Sequence, residues 1–203
     1  DEGYVGTARV RDAGRTHTRN YILVEGSDAV FNLTVDDIYS VIQVPVESNQ
    51  NFRNRKKGGI AYIPSGNTIM NINLVGDNRM GCLHIHNQPS DKIAIEGTGS
   101  LTVADADFIS VSEATYSTSD YGDTKGYVSN FWNSAIGNNT HDKSSAEPYN
   151  ENVYNLYFNS GTIFAGTTKA EDATAIGGGG NGNGQIFITG GKVTAVATTA
   201  GTA

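Results

Sequence analysis

The chain has 203 residues, enough for one domain with a real core or at most two small ones. Hydrophobic residues make up 37% and charged residues 17%, and the formal net charge of −7 argues against a nucleic-acid binder, which should carry a basic footprint. No apolar run approaches the roughly 18 residues of a membrane span, and Cys82 alone allows neither an intrachain disulfide nor a cysteine-built zinc site.

The chain begins at Asp1 without Met and ends in the small-residue run Ala195–Ala203. It shows no secretory, lipidation or wall-anchor motif, so a fragment of a longer protein is expected. Residues 1–30 are irregular and are expected to form an N-terminal cap or lead-in. Next, Phe31, Leu33 and Val35 alternate with Asn32, Thr34 and Asp36, as a half-buried strand should. The basic cluster Arg53–Lys57 reads as a solvated loop, with an anionic partner as the alternative. Gly59–Ile63 predicts another short strand, followed by Asn71–Gly76, where Ile72 and Leu74 alternate with asparagines. Gly81–Ile85 carries Leu83 and Ile85 between His84 and His86. Two strands joined by a Gly corner are predicted in Lys92–Val103, and the same form recurs in Asn155–Ala165 and Gln185–Ala195.

These elements repeat as a group. Gly59–Ile63, Gly81–Ile85, Ser134–Gly137 and Thr174–Gly177 each open a unit of strand, polar turn, strand, Gly corner and strand. The first two units begin 22 residues apart. Units of this size point to a solenoid whose strands pair with their equivalents one coil away, and four or five coils fit. The fold class is therefore all-β, a parallel β-helix (β-solenoid) with about three short strands per coil. An antiparallel sandwich is the rival. Residues 1–203 are expected to form one domain, with residues 104–152 a long excursion from the helix. Ile72, Leu74, Leu83, Ile85, Ile93, Ile95, Leu101, Val103, Leu156, Phe158, Ile163, Ile186, Ile188 and Val193 should line its interior. A monomer is expected, with the C-terminal coil as its weaker end.

The run Thr174–Ala195, with its glycines from Gly177 to Gly184 and the phrase Gln185-Ile-Phe-Ile-Thr-Gly-Gly-Lys-Val-Thr-Ala195, resembles the repeat of Gly-rich right-handed β-helix domains. Such domains occur in large surface proteins of gut and soil bacteria and are carbohydrate-binding or adhesin-like. The likeness covers mainly residues 59–103 and 134–197. It implies a right-handed parallel β-helix in an extracellular location on a bacterial cell surface and leaves the ligand open, because the scaffold defines the family.

The excursion holds Tyr116, Tyr121, Tyr127, Trp132 and Tyr149 among many acids. A coil needs aliphatic residues inside and small polar residues outside, so clustered aromatics on a detour are the candidate ligand-binding residues. A small satellite core is the other reading of those rings. His84 and His86 should point outward together, which reads as a surface pair before it reads as a metal or acid–base site. Asp105 and Asp107 lack the spacing of a calcium loop. Gly177–Gly184 lacks the Lys-Ser/Thr of a phosphate loop and reads as a permissive corner. No catalytic residue, metal ligand or cofactor site is assigned.

The expected function is a non-catalytic binding module for an extracellular glycan or a host protein such as a mucin or immunoglobulin. The alternatives are a polysaccharide-degrading β-helix enzyme, which needs paired carboxylates or calcium in a groove, and a structural spacer, which should lack insertions.

Overall fold

A strand with one apolar face can bury that face only against a neighbour, and a short coil has none except the coils above and below it. The computed structural model shows this solution. It describes residues 9–12, 15–16, 21–40, 59–104, 114–115, 134–138, 152–167, 174–178 and 182–197. Arg9–Asp12 (β1) and Arg15–Thr16 (β2) precede the first coil, which comprises Tyr21–Gly26 (β3), Val30–Asp36 (β4) and Tyr39–Ser40 (β5). Gly59–Pro64 (β6), Ile69–Val75 (β7) and Asp77–Met80 (β8) make the second coil. Cys82–Ile85 (β9), Lys92–Gly97 (β10) and Ser100–Ala104 (β11) make the third. After Ala114–Thr115 (β12), the fourth coil comprises Ile136–Gly137 (β13), Val153–Phe158 (β14) and Thr162–Thr167 (β15). The fifth comprises Ile176–Gly177 (β16), Gly184–Ile188 (β17) and Lys192–Ala197 (β18).

Corresponding strands stack into three five-stranded sheets, in the orders β3-β6-β9-β13-β16, β4-β7-β10-β14-β17 and β5-β8-β11-β15-β18. Every pairing within them is parallel. The parallel pairing of Ile93–Ile95 with both β7 and β14 excludes the antiparallel sandwich. One expected boundary moves. Tyr21–Gly26, placed in the lead-in by the sequence, pairs in register with Gly59–Pro64 and is a full strand of the first coil. Separately, β1 pairs antiparallel with β2 and with β12, so a strand from the 104–152 excursion meets the N-terminal arm.

The inward side chains form rows along the axis. Ile60, Leu83, Ile136 and Ile176 share one. Ile72, Ile95, Phe158 and Ile188 share another, and Leu101, Ile163 and Val193 a third. Of the fourteen residues expected inside, the eleven from Ile72 to Ile163 are buried. Ile186 and Val193 are only partly buried, and Ile188 is 60% exposed. The reason is position: these three belong to the fifth coil, and among the described residues no strand lies beyond it to complete the row.

Corners close the coils by local chemistry. Between the second and third sheets, Gly76 and Gly99 stack so tightly that a Cβ on Gly99 would lie 2.6 Å from the Gly76 carbonyl oxygen. Only glycine allows the coils to approach this closely. Between the first and second sheets the corner is polar and buried. The Asp91 carboxylate accepts hydrogen bonds from the backbone N–H groups of Thr68, at 2.8 Å, and Gln88, at 2.7 Å. The Tyr62 hydroxyl donates to the Thr68 carbonyl at 2.9 Å. Burial, and then the nearby Asp91 charge, push the Tyr62 phenol well above its ordinary range, so it stays a neutral donor.

Ile95 sits at the middle of its row with 0% exposure. Replacing Ile95 by Ala is expected to cost about 2–5 kcal/mol, the range for truncating a buried aliphatic side chain. Denaturant unfolding checks this, and Thr98→Ala on an exposed turn serves as the control.

Candidate functional site

In the second sheet the residues that alternate with the core rows point outward, and parallel register aligns them across coils. One outward row runs Asn32, Asn71, Ala94, Tyr157, Phe187. Two residues further along each strand a second row runs Thr34, Asn73, Glu96, and hydrogen bonds extend it to Asn159 and Thr189. The first row gains its shape from one small residue. Ala94, beside Tyr157, is small and itself buried, and Lys92 of the same strand places its ammonium 4.6 Å from the Tyr157 ring centroid. On the next coil Phe187 stacks on Tyr157, with centroids 4.6 Å apart and planes 14° from parallel. That separation matches the roughly 4.8 Å between paired strands, so the rings form a column along the helix axis. The ammonium closes one end by a cation–π contact. Phe187 is 42% exposed at the other end.

Side-chain hydrogen bonds knit both rows. Asn71 Nδ2 donates to Asn32 Oδ1 at 2.9 Å. Asn159 Nδ2 donates to Glu96 Oε2 at 3.4 Å, and Thr189 Oγ1 donates to Asn159 Oδ1 at 2.9 Å. Asn32, Thr34, Asn73, Glu96 and Thr189 are exposed. The surface therefore presents amide, carboxylate and hydroxyl groups at the coil spacing beside an apolar column. A ligand with hydroxyls along its length and C–H groups between them can meet both.

The third sheet carries a different cluster. Tyr39 Oη donates to Asp77 Oδ2 at 2.7 Å, Ser100 Oγ donates to Asp77 Oδ1 at 2.9 Å, and Arg79 Nη2 lies 3.3 Å from Asp77 Oδ2. The Arg79 guanidinium also sits 5.6 Å from the Tyr39 ring centroid. Partial burial tends to raise the Asp77 carboxyl, but the hydrogen bonds from Tyr39 and Ser100 and the charge of Arg79 outweigh it and hold the group below its ordinary range. This cluster links the first three coils and reads as a staple.

The residues singled out in the sequence fall in several places. Tyr116, Tyr121, Tyr127, Trp132 and Tyr149 lie outside the described residues, as do Asp105, Asp107 and the Arg53–Lys57 cluster. His84 departs from expectation. It does stand opposite Leu83 and Ile85, yet it is buried at 7% exposure. The outer face of the first sheet is thus covered at this coil and is not an open histidine surface. His86 is half-buried, with Nδ1 3.4 Å from Asn138 Nδ2. Cys82 is buried, and Glu96 is an exposed acid on the outward face. Among the described residues no group of three or more His, Cys, Asp and Glu side chains is placed to hold a metal ion.

The Tyr157–Phe187 column was missed, although its signal stood in the repeat. Aligning Leu156-Tyr157-Phe158 with Ile186-Phe187-Ile188 puts both rings at the same outward position of successive coils.

The acid side of the stability profile tests the Asp77 cluster. A carboxyl whose folded value lies below its unfolded one contributes stability above the unfolded value, about 3.9, and loses it as pH falls through the folded value. Wild type is therefore expected to lose stability on acidification below about pH 4 more steeply than Asp77→Asn, measured as Tm against pH. Parallel profiles would remove this role from Asp77. Comparison with known protein families, with curated proteins and with solved structures found no match.

Proposed function

We propose that the chain is a non-catalytic, adhesin-like binding module of a bacterial surface protein and that it holds a glycan against the outer face of the second sheet. The observation that carries this reading is the exposed polar row of Thr34, Asn73, Glu96 and Thr189 lying beside the Tyr157–Phe187 column. A saccharide offers hydroxyls that pair with amides and carboxylates, and C–H patches that pack on aromatic carbon. A parallel sheet holds these groups in place before the ligand arrives, which lowers the ordering cost of binding. Because the two rings cover each other's faces, the ligand meets the flank of the column. Affinity per sugar is therefore modest and grows with the number of coils spanned. The extracellular bacterial setting rests on the likeness of Thr174–Ala195 to Gly-rich β-helix repeats.

A glycan array probed with the 203-residue chain tests the proposal. The expected result is binding to a limited set of polysaccharides. Replacing Tyr157 and Phe187 together by Ala should weaken it at least about tenfold, which corresponds to about 1.4 kcal/mol, with little change in Tm. Should the loss appear instead in a Tyr121→Ala, Trp132→Ala double variant, the site belongs to the excursion. Silence across the array, with capture of a mucin or an immunoglobulin in parallel, would replace the glycan by a protein ligand.

A further inference from the structure

The inward rows are complete in the middle coils and incomplete at both ends. In the first coil Ile22, Val24, Leu33 and Ile38 are only partly buried. In the last coil Ile186, Val193 and Ala195 are partly buried and Ile188 is 60% exposed. We propose that these two ends meet in solution: copies of this chain stack head to tail, the last coil of one on the first coil of the next.

Three observations select this occupant and this orientation. The first is strand polarity. All three sheets of the helix are parallel, and head-to-tail stacking is the arrangement that continues them as parallel sheets. The second is the match along the rows. Extending the rows of the second and third sheets by one coil sets Ile186 on Phe31, Ile188 on Leu33 and Val193 on Ile38 of the next copy. Each contact is apolar on both sides, so partly exposed residues at both ends are buried together.

The third observation is charge. Residues 21–40 contain Glu25, Asp28, Asp36 and Asp37 and no Lys or Arg, whereas residues 174–197 contain Lys192 and no acid. The row that ends at Lys192 passes through Thr162, Ser100 and Asp77. In the first coil it begins at Asp37, whose Oδ1 accepts the Asp77 N–H at 2.9 Å. Stacking therefore sets Lys192 against Asp37 of the next copy. Pairing like ends would set four acids against four, or Lys192 against Lys192, so opposite ends are favoured.

The contact does not use the whole first coil. Val35 is 0% exposed, Tyr39 7% and Ser40 3%, so that corner is already covered. On the last coil Ala175 and Ile176 are likewise buried, so the junction runs along β4 and the Asp37–Ile38 turn. Because the two joined surfaces differ, the contact is heterologous, and repetition leaves an open end for the next copy. The outcome is a growing filament. This departs from the monomer expected from the sequence, where the exposure of Ile188 was not visible.

Cysteine cross-linking and sedimentation test the proposal. Thr34 and Thr189 are exposed and end the same outward row, so across the junction their Cα atoms should lie about 5 Å apart, within disulfide range. Mixing Thr34→Cys with Thr189→Cys under mild oxidation should give a covalent heterodimer much faster than either variant alone gives a homodimer. The wild-type mass should rise with concentration in sedimentation. Ile188→Lys, at a site that is exposed in the isolated chain, should weaken association at least about tenfold with its Tm kept. A monomer mass that stays constant to millimolar concentration, with no cross-link on mixing, overturns the proposal. Faster homodimer formation by Thr189→Cys alone also overturns it, in favour of two last coils meeting.

Discussion

Coil-to-coil register is the constraint on which the rest depends. Each inward side chain rests on its counterpart about 4.8 Å away, and the backbone hydrogen bonds of the parallel sheets hold it there. A slip of one residue in any strand would turn its whole apolar set outward. Phe158, for instance, would leave its place between Ile95 and Ile188, and the outward Tyr157 would enter the core. The same register organises the exterior. It makes Asn32 and Asn71 neighbours, and it sets Phe187 on Tyr157.

The corners show how the register is enforced with little material. The Gly76–Gly99 stack works through the lack of a side chain, since the coils pass too close for a Cβ. The Asp91 corner works the opposite way. A fully buried carboxylate is costly unless its oxygens are satisfied, and here two backbone N–H groups satisfy them. Asn155, at φ 50°, adds hydrogen bonds from its side-chain amide to the carbonyls of Pro89 and Asp91, both at 2.9 Å. Thus the turn in the third coil is tied both to the coil below, through Thr68, and to the coil above, through Asn155.

Surface chemistry and end chemistry follow from one cause. A solenoid displays every outward position as a row, so a side chain useful once becomes more useful when repeated. It also exposes its inward rows wherever stacking stops. The polar row and the ring column of the second sheet express the first property, and Ile188 expresses the second. The two proposals are separable on this ground. Ligand binding rests on side chains that face outward from the coils, whereas self-association rests on the edges of the first and last coils. If both hold, the row that ends at Thr189 continues onto Thr34 of the next copy, and a long polymer meets a longer face.

The amino-acid sequence by itself determined the all-β class, the repeat of three strands per coil, and the identity of most inward residues. Alternation of period two with recurring Gly corners is a local pattern, and Ile72, Ile95 and Phe158 carry it plainly. Only the tertiary structure decided that Tyr21–Gly26 opens the first coil, because a pairing partner in Gly59–Pro64 is what makes an irregular apolar stretch a strand. It alone decided that His84 is buried and Ile188 exposed, although both predictions came from sound alternation. Alternation reports which side of a strand a residue occupies. Whether anything lies against that side depends on segments distant in sequence, and the ring column arises in the same way, from the stacking of residues 30 positions apart.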